Sequence, residues 1–350
     1  MWEYEAFILV FEPYLRKYFQ EKIRQSNKYP SLIHRFYKDL FDFTSGGKNL
    51  RAFLVWLGYR LADGQKVEKV LPVSLAIELL HSFLLIHDDI IDQSDTRRGK
   101  PTIHKRYEKF FGPSALLRAS KHYGMSQAIV LGDIACFEAL GLVSSSGFTD
   151  SQKVACQKRI INSIIETGYG EALDVEYSNK GTDLKAIKQM TELKTAKYTF
   201  VGPLTIGAIL GETSKSQINA LTKFGLLLGM AFQLQDDILG IFGDEKIIGK
   251  SILSDLREGK NTLLVHKAKE MAKAKDRLEL EQTWGQRQAN VQDLKKVRQI
   301  IMKSGALAWV DKEKKRLTAS AIIYVKKITK SQKLQKVVNG LVNFVITREK

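Results

Sequence analysis

The sequence predicts an all-α protein, a bundle of packed helices. Only six of its 350 residues are proline. Apolar residues recur at steps of three and four, as in "AIELLHSFLLIHDDIID" and "ALTKFGLLLGMAFQLQDDILGIF", which is the period of an amphipathic helix. The alternation of apolar and polar residues that marks a half-buried strand is hard to find. Both quoted segments are apolar around much of their circumference, so we expect them to be central helices.

Short breaks divide the chain into segments of helical length. Each break holds glycine or turn-forming polar residues. The breaks fall at residues 44–49, 62–66, 97–101, 144–150, 179–183, 211–216 and 243–250. None of them is a long linker rich in Pro, Gly or Ser, so we predict a single domain over residues 1–350.

The N-terminal stretch "MWEYEAFILVFEPYLRKYF" is interrupted by Glu12 and Pro13. It lacks the basic-then-apolar order of a signal peptide, so we expect it to belong to the folded protein. No uninterrupted apolar run of about eighteen residues occurs, which argues against a membrane span. The two cysteines, Cys136 and Cys156, form no metal-binding pattern, and so few cysteines favour a reducing, cytoplasmic setting.

Basic residues are in excess, with a net charge of +17. Residues 301–350 hold 12 Lys or Arg against 3 Asp or Glu. Such an excess indicates an anionic partner, for example a phosphate compound, a nucleic acid or a lipid head group. For the C-terminal region a solvated, lysine-rich helix surface is the simpler interpretation, with peripheral membrane contact as the alternative.

The motif "DDIIDQSDTRRGKPT" places carboxylates beside arginines. Asp88 and Asp92 are four residues apart, so on a helix their carboxylates lie on one face, about one turn apart. The two charges repel each other, and the dipole at a helix C-terminus disfavours both. A divalent cation would offset that cost, and magnesium prefers such hard oxygen ligands. A solvated acidic helix end is the alternative, but the preceding stretch is apolar enough to be buried.

A second acidic pair, Asp236 and Asp237, closes another apolar segment and is followed by a glycine-containing turn and by Lys246, Lys250 and Lys260. If the two helices face each other across a cavity, the carboxylates would hold metal ions and the neighbouring cations would bind a polyanion. We expect that polyanion to be a diphosphate. The apolar helix surface below it would suit an attached hydrocarbon chain.

Together these motifs resemble those of the trans-isoprenyl diphosphate synthases, also called polyprenyl synthetases, from about Gly46 through Lys260. The first motif is similar to the family's first aspartate-rich motif, and "FQLQDDILGIFGDEKIIGKSILSDLREGKNTLL" to its second. The resemblance implies the isoprenoid-synthase fold, an all-α bundle around a central cavity, and a homodimer. It also implies magnesium-dependent condensation of isopentenyl diphosphate with an allylic diphosphate, and we expect manganese to substitute.

The resemblance also implies roles for single residues. Lys48 and Arg51 in "GGKNLR", with His81 and Arg98, match positions that bind the diphosphate of isopentenyl diphosphate. Arg97 matches the arginine that binds the allylic substrate. At the His81 position the family uses His or Gln, whereas a lone buried histidine is otherwise more often structural.

Other matches lie in the second half of the chain. Lys194 and Thr195 in "ELKTAKYTF", and Gln233 in "FQLQDD", match the polar neighbours of the reacting carbons. Lys250 and Lys260 match lysines that bind the allylic diphosphate. The implied metal ligands are Asp88, Asp92 and Asp236. The implied catalytic residues are Asp88, Asp92, Arg97, Lys194, Thr195, Gln233, Asp236 and Lys250.

Two positions depart from the family pattern. Gly240 replaces the last aspartate of the second motif, so we keep Asp236 as the ligand and expect Gly240→Asp to matter far less than Asp88→Ala or Asp236→Ala. Ile248 stands where a threonine commonly precedes the lysine, which affects the geometry around Lys250. Asp255 follows the lysine as the family pattern has it.

The residue matches favour chain elongation over other functions. A terpene cyclase shares the fold and the metal site but does not need a second diphosphate pocket. A non-catalytic synthase subunit would be expected to have lost acidic positions, and the first motif here is intact. A basic nucleic-acid-binding protein explains the net charge but not the paired carboxylates, so we expect no nucleic acid among the partners.

Product length depends on the floor of the pocket. Phe83 precedes Asp88 by five residues, Leu84 is not aromatic, and "DDIID" has no insertion, a combination that in the family goes with a C20 product. A helical wheel places Leu84 nearer than Phe83 to the face of Asp88, and Phe83 as an ordinary core residue is the alternative. We expect geranylgeranyl diphosphate, with farnesyl diphosphate (C15) as the alternative.

Overall fold

In the computed structural model, which describes residues 2–111, 117–244 and 251–348, the chain is almost entirely helical, and the all-α prediction is confirmed. The first ten α-helices are α1 (Trp2–Ser26), α2 (Ser31–Ser45), α3 (Leu50–Leu61), α4 (Leu71–Ile91), α5 (Ile103–Glu108), α6 (Leu117–Ser144), α7 (Asp150–Lys180), α8 (Leu184–Thr191), α9 (Gly202–Leu210) and α10 (Lys215–Phe242). They are followed by α11 (Ser254–Glu258), α12 (Leu263–Met271), α13 (Ala274–Thr283), α14 (Val291–Ser304), α15 (Ala306–Ile322), α16 (Val325–Ile328) and α17 (Gln332–Thr347).

Three other kinds of backbone structure occur. Short 3₁₀ turns lie at Val67–Lys69 and Lys109–Phe111, and a π-helix, Glu192–Val201, joins α8 to α9. The one pair of strands among the described residues is a two-stranded antiparallel hairpin, β1 (Thr96–Arg97) with β2 (Lys100–Pro101). This hairpin occupies the break predicted at residues 97–101.

Capping side chains begin the helices that follow two other predicted breaks, those at residues 179–183 and 211–216. Asp183 precedes α8 and its Oδ1 accepts a hydrogen bond from the amide of Ala186 at 2.8 Å. Ser214 precedes α10 and its hydroxyl accepts from the amide of Gln217 at 3.2 Å. Such side chains satisfy amides that lack a partner at a helix N-terminus.

The chain folds into two compact units. Unit 1 consists of Met1–Lys158 and Ile206–Thr213, and unit 2 consists of Arg159–Thr205 and Ser214–Lys350. Each unit therefore uses two separate stretches of sequence. Whether they form the single domain that the sequence predicts stays a prediction.

The core of unit 1 is built around α4. Val73, Leu75, Ala76 and Leu79 on this helix are fully buried, and α4 packs against α3 and α6. This burial explains why the segment is apolar around most of its circumference. It also fixes the helix whose last turn carries the first acidic motif.

The core of unit 2 is built around α10, which packs against the π-helix and α15. Phe224, Leu228, Ala231 and Leu234 on α10 are almost completely buried. Gly229 permits the close approach of the π-helix, because a Cβ at this position would lie 2.8 Å from the Cβ of Ala196.

Three helical segments are long and apolar enough, by length and composition alone, to cross a membrane: Val67–Ile91, Ala119–Ser144 and Lys215–Phe242. Each of them contains polar or charged residues, so the lack of an uninterrupted apolar run did not reveal them, and the argument against a membrane span fails on composition. In the most apolar window of the first and third segments, 67% and 50% of the residues are buried inside the protein, and in the second 39%. Packing thus accounts for the apolar character of α4 and α10 better than for that of α6.

Candidate active site

The first acidic motif lies at the C-terminal end of α4, in unit 1. Asp88 is in the last turn, and Asp92 caps the helix, its amide donating to the Asp88 carbonyl at 2.8 Å. One carboxylate oxygen of Asp88 lies within 4.8 Å of one carboxylate oxygen of Asp92. The predicted placement of both carboxylates on one face is confirmed. Asp89 instead points inward and is 1% exposed.

Arg97 lies on β1 and pairs with the first motif. Its Nε donates to Oδ1 of Asp89 at 2.8 Å, and its Nη2 lies 3.1 Å from Oδ2 of Asp88. The strands are joined by Arg98 and Gly99, both with positive φ (53° and 72°), which is the geometry of a tight two-residue hairpin turn. The arginine predicted to bind the allylic substrate therefore already contacts a predicted metal ligand.

Arg98 contacts the loop that holds "GGKNLR". Its Nη1 donates to the carbonyl of Phe43 at 2.9 Å. A Cβ at Gly47 would lie 3.1 Å from its Nη2, so the glycine leaves room for the guanidinium. Lys48 follows in the same loop and is exposed.

Arg51 and His81 form a direct contact, with 3.0 Å between Nη1 and Nε2. Since a guanidinium can only donate, Nε2 accepts and the imidazole is neutral. Burial, together with the positive charges of Arg51, Arg98 and Arg97, holds the pKa of His81 well below its usual value. The structure thus brings together His81 and the arginines predicted to bind diphosphate, in unit 1.

Phe83 lies on the side of α4 that faces α6. Its ring meets the ring of His87 edge-on, with centroids 4.7 Å apart. His87 in turn lies against α6, where its Nε2 is 3.2 Å from the carbonyl of Ile129. A Cβ at Gly132, also on α6, would lie 2.5 Å from the same Nε2. Leu84 is half-buried. Phe83 therefore lies off the Asp88 face of the helix, as the helical wheel predicts.

Lys194 lies on the π-helix of unit 2. Its Nζ is 2.9 Å from a carboxylate oxygen of Glu171 and 2.6 Å from one of Asp174, both on α7. The sequence interpretation missed these two acids. Their spacing of three on a long helix was the available signal, but such pairs are common on solvated helix faces.

Thr195 is linked to the second acidic motif. Its hydroxyl donates to Oε1 of Gln233 at 2.8 Å, and Nε2 of Gln233 donates to Oδ1 of Asp237 at 2.9 Å. Burial, reinforced by repulsion from Asp255 and Asp236, raises the pKa of Asp237 to about 8. The chain of hydrogen bonds fixes the orientation of the Gln233 amide.

Asp236 pairs with an arginine that the sequence interpretation did not select. The guanidinium of Arg348 forms an ion pair with its carboxylate and lies over the ring of Phe232, 3.8 Å from the centroid. The carbonyl of Arg348 accepts from Nε2 of Gln235 at 3.0 Å, and Oε1 of Gln235 accepts from the buried Lys314 at 2.6 Å. No local sequence signal points to a contact across 112 positions.

The second motif lies in the last two turns of α10. The helix ends at Phe242, where the break predicted at residues 243–250 begins. At Gly240, a Cβ would lie 2.9 Å from Cγ of Asp255 and closer still to Oδ2. A side chain at position 240 would require the carboxylate of Asp255 to move. That Gly240→Asp matters far less than Asp236→Ala stays a prediction.

Lys260 is half-buried just after α11, with its Nζ 3.1 Å from Glu258. Lys246, Ile248 and Lys250 lie outside the described residues, so the predicted role of Lys250 stays a prediction. Within unit 2 the structure brings together Thr195, Gln233 and the second motif.

Comparison with known proteins identifies relatives over nearly the whole chain. The polyprenyl synthetase family profile matches residues 31–301. A geranylgeranyl diphosphate synthase of Saccharolobus solfataricus is 33% identical over 348 residues, covering 96% of this chain and 98% of the relative. Another from Sulfolobus acidocaldarius is 35% identical over 265 residues, 75% of this chain and 74% of the relative.

A solved structure shows the same fold. It is a geranylgeranyl pyrophosphate synthase from Corynebacterium glutamicum, complexed with isoprenyl diphosphate and magnesium, and it is 28% identical to this chain. The two superpose with a TM-score of 0.89 over 97% of this chain and 98% of the other.

Proposed function

This chain belongs to the polyprenyl synthetase family and is a prenyltransferase, and we propose that it condenses isopentenyl diphosphate with allylic diphosphates to give mainly geranylgeranyl diphosphate (C20). The observation that carries the elongation reaction is the cluster of arginines around a neutral histidine in unit 1. Arg51, His81 and Arg98 lie together beside the glycine-rich loop. An enzyme that uses a single diphosphate substrate would not need this second anion site.

Magnesium fits the acidic residues, and we expect manganese to substitute. The nearest carboxylate oxygens of Asp88 and Asp92 lie within 4.8 Å of each other. A small side-chain rotation would let both oxygens bind one cation, whose ligands lie at about 2.1 Å. The metal ligands would be Asp88 and Asp92 in unit 1 and Asp236 in unit 2. When bound, the metal would neutralise the charge that develops on the departing diphosphate.

Other residues of the chain would bind the allylic diphosphate and stabilise the cation that forms when it departs. Arg97 would exchange its contact with Asp88 for the allylic diphosphate, and Lys250 and Lys260 would bind the same group. The carbonyl oxygen of Lys194, the hydroxyl of Thr195 and the amide oxygen of Gln233 would face the allylic cation. The double bond of isopentenyl diphosphate would attack that cation and form the new carbon–carbon bond. The released diphosphate would accept the proton that the adduct loses, which completes the extension.

Product length is assigned to the pocket floor near Phe83. Its ring is held edge-on against His87, which supports a fixed floor. Phe83→Ala is expected to lengthen the product and Leu84→Phe to shorten it toward farnesyl diphosphate (C15), both read by mass spectrometry. If neither variant changes the product, the floor lies elsewhere.

The proposal includes a homodimer formed through α6. Met125, Ile129, Val130 and Phe137 on this helix are between 41% and 72% exposed. Contiguous exposed apolar surface of this kind marks an interaction site. A cytoplasmic location is also proposed, with peripheral membrane contact through the basic residues 301–350, which co-sedimentation with anionic and with neutral vesicles would test.

One incubation tests the function directly. The protein is mixed with magnesium, isopentenyl diphosphate and each allylic starter in turn, and product length is read by mass spectrometry. EDTA is expected to abolish the reaction, and Asp88→Ala or Asp236→Ala to lower turnover by about two orders of magnitude or more. Full activity in EDTA would exclude the proposed mechanism.

A second measurement separates the two diphosphates. Lys48→Ala or Arg51→Ala is expected chiefly to raise KM for isopentenyl diphosphate, and Lys250→Ala or Lys260→Ala to affect the allylic substrate. Equal effects of all these variants on both substrates would contradict the assignment of the sites.

A further inference from the structure

Glu78 on α4 is a buried carboxylate that belongs to neither acidic motif. It lies three residues before His81 and is 4% exposed. Removing a carboxylate from water is costly unless a hydrogen bond or an opposite charge compensates for it. The compensating partner of Glu78 lies at the start of α3.

The carboxylate of Glu78 caps the N-terminus of α3. Its Oε1 accepts a hydrogen bond from the amide of Ala52 at 2.9 Å, in the first turn of that helix. Asn49, which precedes α3, has a left-handed backbone (φ 50°), and within the described residues its side chain forms no capping hydrogen bond. An acceptor at this place satisfies an amide that has no partner inside the helix, and the helix dipole favours a carboxylate there. A side chain of α4 thus supplies the cap that α3 does not provide for itself.

The same part of α4 also holds the other side of the glycine-rich loop. Thr44, in the last turn of α2, has its hydroxyl oxygen 2.9 Å from the hydroxyl of Ser82. The hydroxyl of Ser82 donates to the carbonyl of Glu78 at 3.0 Å. Residues 46–49, which include Lys48, lie between these two anchors. The loop is therefore fastened to one turn of α4 both before and after its glycines.

The cap also determines where Arg51 begins. Arg51 directly precedes Ala52, and its guanidinium returns to α4, where it contacts His81 at 3.0 Å. Burial raises the pKa of Glu78, while the amide of Ala52 and the charges of Arg51 and Arg98 oppose that rise. The carboxylate is thus close enough to both arginines to feel their charge, yet its hydrogen bond goes to the backbone of α3.

We infer that Glu78 is a positioning residue for the homoallylic substrate: by capping α3 it fixes Lys48 and Arg51, and thereby the affinity for isopentenyl diphosphate. The inference rests on the proposed function for the identity of that substrate. Glu78 acts through the loop and the first turn of α3, without touching the diphosphate. The role requires an acceptor oxygen at this position, which an amide side chain also offers.

Steady-state kinetics with both substrates test the inference. Glu78→Met nearly conserves the side-chain volume and removes the acceptor. It is expected to raise KM for isopentenyl diphosphate by about tenfold or more, because the binding cations are displaced, and to change KM for the allylic substrate by less than about twofold. Glu78→Gln keeps an acceptor oxygen and is expected to stay within about threefold of the native chain. An unchanged KM in Glu78→Met, equal rises for both substrates, or a Glu78→Gln no better than Glu78→Met overturns the inference.

Val55→Ala separates lost stability from lost positioning. Val55 is fully buried on α3, so its truncation leaves a cavity and lowers the melting temperature while the cap stays in place. Both KM values are expected to stay within about twofold of the native chain. A rise for isopentenyl diphosphate as large as that of Glu78→Met would overturn the inference. If Glu78→Met does not fold, Glu78→Asp decides, because the shorter side chain draws the acceptor back from the amide of Ala52: a native KM for isopentenyl diphosphate overturns the inference.

A binding measurement keeps the inference separable from the proposed function. Isopentenyl diphosphate is titrated by calorimetry into the full chain in EDTA, where cationic side chains alone can bind it. A chain that forms no prenyl diphosphate, but binds isopentenyl diphosphate more weakly after Glu78→Met, would contradict the function and support the positioning role. Product formation together with binding unaffected by Glu78→Met would do the reverse.

Discussion

Arg348 and a divalent cation would compete for the same carboxylate. The guanidinium is paired with Asp236 and stacked on Phe232, so a metal that binds Asp236 must displace or share this contact. Metal binding therefore carries the cost of breaking a charge-assisted hydrogen bond, about 1.5–3 kcal/mol for such bonds.

Removing Arg348 is expected to tighten metal binding. Arg348→Ala should lower the Kd for Mn²⁺ by roughly threefold to tenfold, because part of that cost disappears. The control is Arg316→Ala, which removes an exposed arginine paired with Glu313. Isothermal titration with Mn²⁺ and pyrophosphate measures both. Weaker binding in Arg348→Ala would mean that the arginine orders Asp236 for the metal.

His81 should make the protein less stable in acid. Its pKa is depressed by burial and by Arg51, Arg98 and Arg97, so below the ordinary histidine pKa near 6.5 the unfolded chain binds a proton that the folded chain does not. Folding stability from this group is complete above about pH 6.5 and declines as the pH falls, by up to about 1.4 kcal/mol per pH unit.

His81→Gln removes this titration while keeping an acceptor for Arg51. Between pH 7.5 and 5, the native chain is expected to lose more free energy of unfolding than the variant, measured by urea denaturation. Parallel pH profiles would show that His81 is protonated in the folded state, in conflict with its contact to Arg51.

Single residues show where sequence interpretation succeeds and where it fails. The pairing of Asp88 with Asp92 follows from helical spacing alone, and Arg51, His81 and Arg98 meet as the family pattern implies. The positions of Asp255 and Arg348 relative to the second motif do not follow, since each depends on packing between elements far apart in sequence.

At the scale of elements, the close approach of α4 to α6 depends on a glycine. His87 on α4 occupies the space beside Gly132, where a Cβ would come within 2.5 Å of its Nε2. Gly141 on the same helix has no neighbouring atom within 4 Å of such a Cβ. The two glycines thus form a matched pair.

Gly132→Ala is expected to destabilise the protein and Gly141→Ala to stabilise it. Overpacking at Gly132 costs about 1–3 kcal/mol, more than the roughly 0.5–1 kcal/mol that alanine gains over glycine within a helix. At Gly141 only the gain remains. Thermal unfolding measures both. Equal melting temperatures would contradict the packing argument.

Because His87 also contacts Phe83, the product spectrum of Gly132→Ala should shift.

Helix existence was predictable from periodicity, but helix type was not. The π-helix at Glu192–Val201 carries Lys194 and Thr195, and the apolar pattern of its sequence does not distinguish it from an α-helix. The end of α10 at Phe242 agrees with the break predicted at residues 243–250, because glycine and turn-forming polar residues begin there.

At the scale of the whole molecule, the exposed face of α6 should control self-association. Phe137 is 72% exposed there, and Ile323, at the end of α15, is 67% exposed. Phe137→Glu is expected to convert the proposed dimer to a monomer, because it would bury a charge in an apolar interface. Ile323→Glu is expected to leave self-association unchanged. Light scattering after size-exclusion chromatography gives the masses. A native chain that is monomeric, or a dimeric Phe137→Glu, would contradict the proposed interface.

The division of unit 1 into two stretches of sequence has a consequence for synthesis on the ribosome. Ile206–Thr213 belongs to unit 1, and Gly207 brings α9 so close to α3 that a Cβ would lie 2.6 Å from the amide nitrogen of Tyr59. The first 158 residues thus leave the exit tunnel without a part of their own core. The apolar surface that Ile206–Thr213 would cover stays exposed until the ribosome, which adds about 5–20 residues per second, has extended the chain past residue 213. During that interval chaperones could bind this surface.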